Sequence, residues 1–425
     1  MNRILKVRKS KLNGTVKISG AKNSALKLLS ASILTNKDVV LYNSPNSLID
    51  MKIHIEMLKN LGKECIIEHD RITIKESEQI RNTLRWGGDS IRNTLLIFGA
   101  LLSRFGHAMV PLPGGCELGC NRKYDLHIDI LSKMGANIYE DNGYLIGVAE
   151  KGLQGCEIDL LFRSVGATEN AIISAVLAKG TTIIKNPHFN PEIEELVFFL
   201  EDMGANIKLE NMKEIVIKGI NKPLESKFAW RVIPDRLEAL TYLIASCVTH
   251  SNIVIENFPF EYLNIPLSYL YNSNIEIKER DGNNIYKLLN NKIYPFEISC
   301  DSYPGITSDM KSLFTVLGLK IKGRSEIIDL RYPKRNKYID ELLKMKAVIG
   351  EVLNSNYRLA IYGGNKLIGT EVEATDLRGG VALLLAGLIA EGETIIHNAN
   401  QIYRGYEHID KKLKNLGANI ELIEE

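Results

Sequence analysis

The chain has 425 residues, 45% hydrophobic and 24% charged, with a formal net charge of +2. That composition is of the soluble globular class, long enough for two to three ordinary domains. With charge so nearly balanced, nothing global points to nucleic acid or anionic membranes.

The N-terminal stretch Met1 to Gly14 is basic but leads into no apolar core, so it does not read as a secretory signal, and a cytoplasmic protein is expected. Six cysteines at 65, 116, 120, 156, 247 and 300 are too sparse for a disulfide framework. Cys116 and Cys120 lack a second Cys/His pair at zinc-like spacing, so no metal site is expected. The longest apolar runs, Thr94–Leu102 and Val381–Ala390, are about half of a membrane span.

The first chemically distinctive segment runs from Ile18 to Leu26 and places Lys22 just before an apolar helix. A helix N-terminus with a nearby ammonium is an anion site, although a lysine there is also often a plain solvated charge. Farther along, Arg92 precedes the apolar run from Thr94. Pro111 to His127 follows, with two prolines and three glycines in its first nine residues, a composition that predicts a long mobile loop. Arg122 and Lys123 next to it favour a thiolate at Cys116.

The stretch from Glu169 shows a repeating pattern most clearly. Glu169–Ala178 is apolar nearly all round and predicts a buried helix capped by Gly180. Thr181–Lys185 is β-branched and predicts a strand. Pro191–Met203 predicts an amphipathic helix with proline at its first turn, stopped by Gly204. Asn206–Leu209 and Glu214–Lys218 predict two strands around a turn.

Helix-end marks like Gly204 recur through the chain. They are Gly62, Gly135, Gly204 and Gly417, with eroded versions at Ser273 and Lys346, spaced 73, 69, 69, 73 and 71 residues apart. A fixed period over the whole chain predicts one β-α-β-α-β-β unit used six times, three per domain. The best candidate join is Asn221–Trp230. Arg92, Arg335, Arg378 and Arg404 fall at matching places in their copies, and Lys22, Arg92 and Arg378 each precede or open an apolar helix. Such basic residues are expected to converge on one interdomain cleft and bind a multiply charged phosphate or carboxylate.

Several segments together resemble the bacterial UDP-N-acetylglucosamine enolpyruvyl transferases, relatives of the shikimate-pathway enolpyruvyl transferase. They are Gly20-Ala21-Lys22-Asn23, Pro113 to Cys116, Asp125-Leu126-His127, Ser164 to Asn170, Arg231 to Arg236, Ser308-Asp309-Met310, Ala374 to Arg378 and Arg404 to Glu407. The resemblance runs nearly end to end. It implies two inside-out α/β domains of three repeats each, here 22–229 and 1–21 with 230–425, with the active site in the cleft between them. It also implies transfer of the enolpyruvyl group of phosphoenolpyruvate to the 3′-hydroxyl of UDP-N-acetylglucosamine, early in peptidoglycan synthesis. No metal or organic cofactor, nucleic acid or membrane is implied, and a monomer is expected.

Carried over residue by residue, the resemblance makes Cys116 the acid and Asp309 the base, with Lys22 also catalytic. Lys22, Asn23, Arg122 and Arg404 would hold phosphoenolpyruvate. Asn23, Arg92, Arg122, Lys123, Tyr124, Asp125, Leu126, Ser164, Val165, Gly166, Asp309 and Arg331 would hold the nucleotide sugar, and Arg335 and Arg378 would line the charged cleft.

The chain departs from the family pattern by one extra residue between Cys116 and Arg122, by Lys123 in place of proline, by the extra thiol Cys120, and by Tyr403 in place of aspartate. These changes leave room for a paralogous transferase with a different nucleotide-sugar or nucleoside acceptor. A non-catalytic nucleotide-sugar binder fits less well, because a binder needs no proton donor and Lys22, Cys116, Asp309 and Arg404 are all present.

Overall fold

Two kinds of helix alternate along this chain, and their sequences decide which is enclosed. A computed structural model describes residues 3–114, 123–222, 224–280, 284–289, 293–352, 355 and 357–424. Enclosed helices are buried on nearly every face, and all of Arg236–Val248 is buried. Each leucine or isoleucine so buried contributes about 1.5–3 kcal/mol. Outer helices keep one polar face: in Lys337–Lys344 the chain buries Tyr338, Ile339, Glu341 and Leu342 and leaves the lysines toward solvent.

The chain forms two compact units, divided between Ser19 and Gly20 and between Ile233 and Pro234. The unit from Gly20 to Ile233 has enclosed helices Lys22–Ala31, Thr94–Phe105 and Val165–Ala175. Its third copy has the β-α-β-α-β-β order. Glu157–Asp159 runs parallel to Thr181–Lys185, which pairs antiparallel with Glu214–Lys218, and that strand pairs antiparallel with Asn206–Glu210. In the first copy the leading strand is Trp230–Arg231, which returns from the far end of the unit to lie parallel to Val39–Tyr42. Among the described residues the second copy has three strands, and Thr83 bridges Met109 where a leading strand would lie.

The other unit has enclosed helices Arg236–Val248, Lys311–Lys320 and Leu377–Gly387. Here the N-terminus supplies strands to two copies. Asn13–Lys17 leads the fourth copy, parallel to Asn252–Glu256. Arg3–Arg8 closes the sixth, antiparallel to both Glu393–His397 and Asn419–Glu424.

Each outer helix ends at a residue with positive φ. Gly62, Gly135, Gly204 and Gly417 lie between +90° and +112°, a conformation glycine adopts without a Cβ penalty. The eroded copies keep the same geometry on Asn274 and Lys346, both at +67°. The fifth anchor from the start of the chain, Lys346, is as expected, but the fourth moves from Ser273 to Asn274.

Two local expectations are corrected. The third enclosed helix spans Val165–Ala175 rather than Glu169–Ala178, because the Ser164 side chain accepts from Ala167 N and starts it early. Gly180, at φ +96°, therefore turns the chain into the strand Thr181–Lys185 instead of capping the helix. Among the described residues no helix is long and apolar enough to cross a membrane.

Candidate active site

In the unit beginning at Pro234, the site grows from a helix cap. Asp376 precedes Leu377–Gly387, and its Oδ1 accepts from Arg378 N at 2.8 Å and Gly379 N at 3.1 Å. The same oxygen accepts from Arg335 Nη2 at 3.1 Å. Arg335 Nη1 donates to Asp309 Oδ1 at 2.5 Å, and Arg378 Nε donates to Asp309 Oδ2 at 3.3 Å. The Asp309 side chain is 35% exposed, whereas those of Arg335 and Arg378 are 7% and 4% exposed. The result is one accessible carboxylate backed by two buried guanidiniums.

Burial alone would push the Asp376 carboxyl up, but Arg335 and the two backbone N–H groups outweigh it and hold the carboxyl below its ordinary range. Burial opposes charge on Arg335 as well, and Asp309 and Asp376 overcome it. The segment carrying Asp309 is fixed from behind: Asp329 Oδ1 accepts from Ser308 Oγ at 3.0 Å and from Arg331 N and Tyr332 N at 3.1 and 2.9 Å. Asp329 itself pairs with buried Lys311 at 2.8 Å. Arg331 donates to Ser302 Oγ at 2.6 Å. The ring of buried Tyr406 lies 5.4 Å from the Arg378 guanidinium, which ties the Arg404–Glu407 segment to the cluster. Arg404 itself donates to Gln401 at 3.1 Å.

The arginines fall into two positional classes rather than the single one expected. Arg92 and Arg378 stand at enclosed helices, while Arg335 and Arg404 precede the outer helices Lys337–Lys344 and Ile409–Asn415. Asp309, Arg335 and Arg378 meet because an aspartate next to an enclosed helix and an arginine next to an outer helix face the same cap.

In the unit from Gly20 to Ile233, Lys22 is the first residue of its enclosed helix, and Asn23 the second. Buried Lys22 pairs with buried Asp50 at 3.0 Å. The expected nucleotide segments lie together: Asp125 and Leu126 open the helix Asp125–Lys133, and Ser164 to Gly166 open the third enclosed helix. Between them His127 Nδ1 bonds Asn170 Nδ2 at 3.1 Å, and a Cβ on Gly166 would sit 3.2 Å from His127 Nε2. Arg92 Nη2 donates to the Lys123 carbonyl at 2.5 Å, and the Tyr124 hydroxyl donates to Glu140. Burial and that carboxylate push the Tyr124 hydroxyl up to about 12. The loop expected to reach His127 is therefore helical from Asp125. Cys116, Cys120 and Arg122 lie outside the described residues.

Sequence reasoning missed Asp50, Asp376 and Glu195. Asp376 carried a legible signal, since an aspartate directly before an apolar run is an N-cap signature. Asp50 and Glu195 carried none, because each matters through a partner far away in the chain.

Comparison with known proteins gives the class to which the repeated α/β units and the arginine-backed carboxylate belong. A match to EPSP synthase (3-phosphoshikimate 1-carboxyvinyltransferase) covers residues 7–413. The chain belongs to this enolpyruvyl transferase family. It is 38% identical to UDP-N-acetylglucosamine 1-carboxyvinyltransferase 1 of Caldanaerobacter subterraneus subsp. tengcongensis, over 96% of both chains. It is 39% identical to the UDP-N-acetylglucosamine 1-carboxyvinyltransferase of Pelagibacter ubique, over 97% of this chain and 98% of that one. The enolpyruvyl transferase NikO from Streptomyces tendae shares the fold at a TM-score of 0.88, with 23% identity over 99% of both chains.

Proposed function

We propose that this protein transfers the enolpyruvyl group of phosphoenolpyruvate to the 3′-hydroxyl of UDP-N-acetylglucosamine and releases phosphate, the first committed step of peptidoglycan synthesis. The likeness to the 1-carboxyvinyltransferases supports the reaction. The observation that carries the site is Asp309, an accessible carboxylate held between two buried arginines.

The reaction needs an acid and a base at one substrate pair. Cys116 delivers a proton to the terminal CH₂ carbon of phosphoenolpyruvate, which makes the neighbouring carbon electrophilic. The sugar hydroxyl oxygen bonds to that carbon, and its proton passes to Asp309. Loss of a proton from the new methyl group and cleavage of the carbon–oxygen bond to phosphate restore the double bond. Asp309 suits the role of base because its carboxylate is 35% exposed and is oriented by Arg335 and Arg378.

In this reading Lys22, Arg122 and Arg404, with Asn23, hold the phosphate and carboxylate of phosphoenolpyruvate. Arg92, Lys123 to Leu126, Ser164 to Gly166 and Arg331 hold the nucleotide sugar. Lys123 and the extra residue before Arg122 are the features that favour a different nucleotide-sugar or nucleoside acceptor as a second reading.

The test is phosphate release from phosphoenolpyruvate with UDP-N-acetylglucosamine, read together with the product mass. Turnover giving the enolpyruvyl adduct supports the first reading. No turnover, with phosphoenolpyruvate still adding to Cys116, moves the acceptor to the second. Neither turnover nor binding of phosphoenolpyruvate overturns both.

A further inference from the structure

Glu195 is a buried carboxylate that the proposed chemistry does not use. It lies on the outer helix Pro191–Asp202 and is 3% exposed. Three donors converge on it from two distant parts of the chain. Trp230 Nε1 and Ile233 N both donate to Oε1, at 2.9 and 3.0 Å, and the Ser24 hydroxyl donates to Oε2. The Ile233 carbonyl in turn accepts from Ala21 N at 2.7 Å.

One carboxylate from the third copy thus ties the start of the first enclosed helix, residues 21–24, to the strand that returns at Trp230. Lys22 and Asn23 sit inside that tie. Lys22 is also paired with Asp50 at 3.0 Å. We propose that Glu195 is a positioning residue for phosphoenolpyruvate binding: it fixes the 21–24 turn so that Lys22 and Asn23 are presented to the phosphate.

The donors Ser24, Trp230 and Ile233 that meet Glu195 are all neutral. A buried carboxylate without a cation is costly, and a merely structural position is more economically filled by an apolar residue. Burial, only partly offset by Ser24, Trp230 and the Ile233 amide, pushes this carboxyl up to about 7. Retaining such a group is consistent with orienting work that a hydrocarbon side chain cannot do.

The inference rests on the enolpyruvyl transferase reading, and the test separates the two. The dissociation constant of phosphoenolpyruvate is measured by calorimetry for the wild type, Glu195→Ala, Glu195→Gln and Ser24→Ala, with a thermal melt for each. Glutamine keeps an oxygen for Trp230 and Ile233, and Ser24 can rotate to accept from its amide. Glu195→Ala is expected to weaken binding about 10-fold or more, and Ser24→Ala about 3-fold, in line with the loss of several hydrogen bonds and of one. Glu195→Gln is expected to stay within about 3-fold of wild type by the same reasoning.

Weaker binding in the alanine variants, recovered by glutamine, upholds the proposal. Wild-type affinity in Glu195→Ala and Ser24→Ala, whatever happens to their melting temperatures, overturns it and makes Glu195 structural only. A wild type that does not bind phosphoenolpyruvate overturns the transferase reading itself, and the positioning role falls with it.

Discussion

Replacing Arg335 by alanine removes the guanidinium shared by Asp309 and Asp376. The Asp376 side chain is 7% exposed, so the change leaves a buried carboxylate without its cation. Deleting one partner of a buried pair costs about 3–5 kcal/mol. Asp376 keeps its bonds from Arg378 N and Gly379 N, which places the expected loss near the lower end, about 3 kcal/mol. Asp309 is a third exposed and keeps Arg378, so it adds at most about 1 kcal/mol.

The loss should depend on pH. In the wild type the Asp376 carboxyl is held below its ordinary range. Its stabilisation is therefore fully present above the unfolded-state pKa of about 3.9 and disappears as pH falls through the lower folded value. In the variant, burial acts without Arg335 and raises the folded value, so acid favours the folded variant instead. The gap between the two proteins should be widest near neutral pH and should narrow toward pH of about 4. Urea unfolding followed by circular dichroism at both pH values measures it. A gap under about 1 kcal/mol at neutral pH, the level of an exposed ion pair, would refute the reasoning, as would a gap that is equal at both pH values.

Three further outcomes are expected. Gly99→Ala should lower stability by about 1–3 kcal/mol in urea unfolding, because its Cβ would meet Asn170 Oδ1 at 2.0 Å and Ser174 Oγ at 2.6 Å. It should also weaken UDP-N-acetylglucosamine binding, since Asn170 holds His127; unchanged stability would mean the helices separate freely. Asp309→Asn should bind the nucleotide sugar in calorimetry yet lose turnover by about 100-fold or more, and near wild-type turnover would remove Asp309 as the base. Fosfomycin, an epoxide that mimics phosphoenolpyruvate, should alkylate one cysteine, Cys116, in peptide mass mapping, and labelling of Cys120 alone would contradict the assignment.

Much of this protein is written locally. The apolar runs from Thr94 and Val381 announce enclosed helices, and the period of helix-end residues announces six copies, because helix burial and termination depend on side chains a few residues apart. Even the eroded copies keep their left-handed turn on Asn274 and Lys346. Lys22, Arg92 and Arg378 were placed at enclosed helices from sequence alone for the same reason. What tertiary structure decided is pairing across distance. Trp230–Arg231 leads the sheet of the first copy, and Asn13–Lys17 and Arg3–Arg8 complete sheets formed otherwise by residues beyond 250. Asp50 opposite Lys22, Asp376 sharing Arg335 with Asp309, and Glu195 gathering Ser24, Trp230 and Ile233 follow the same rule. A strand edge or a buried charge states only that it needs a partner, and many donors along the chain would satisfy it. Which one does is set by the three-dimensional packing of the copies.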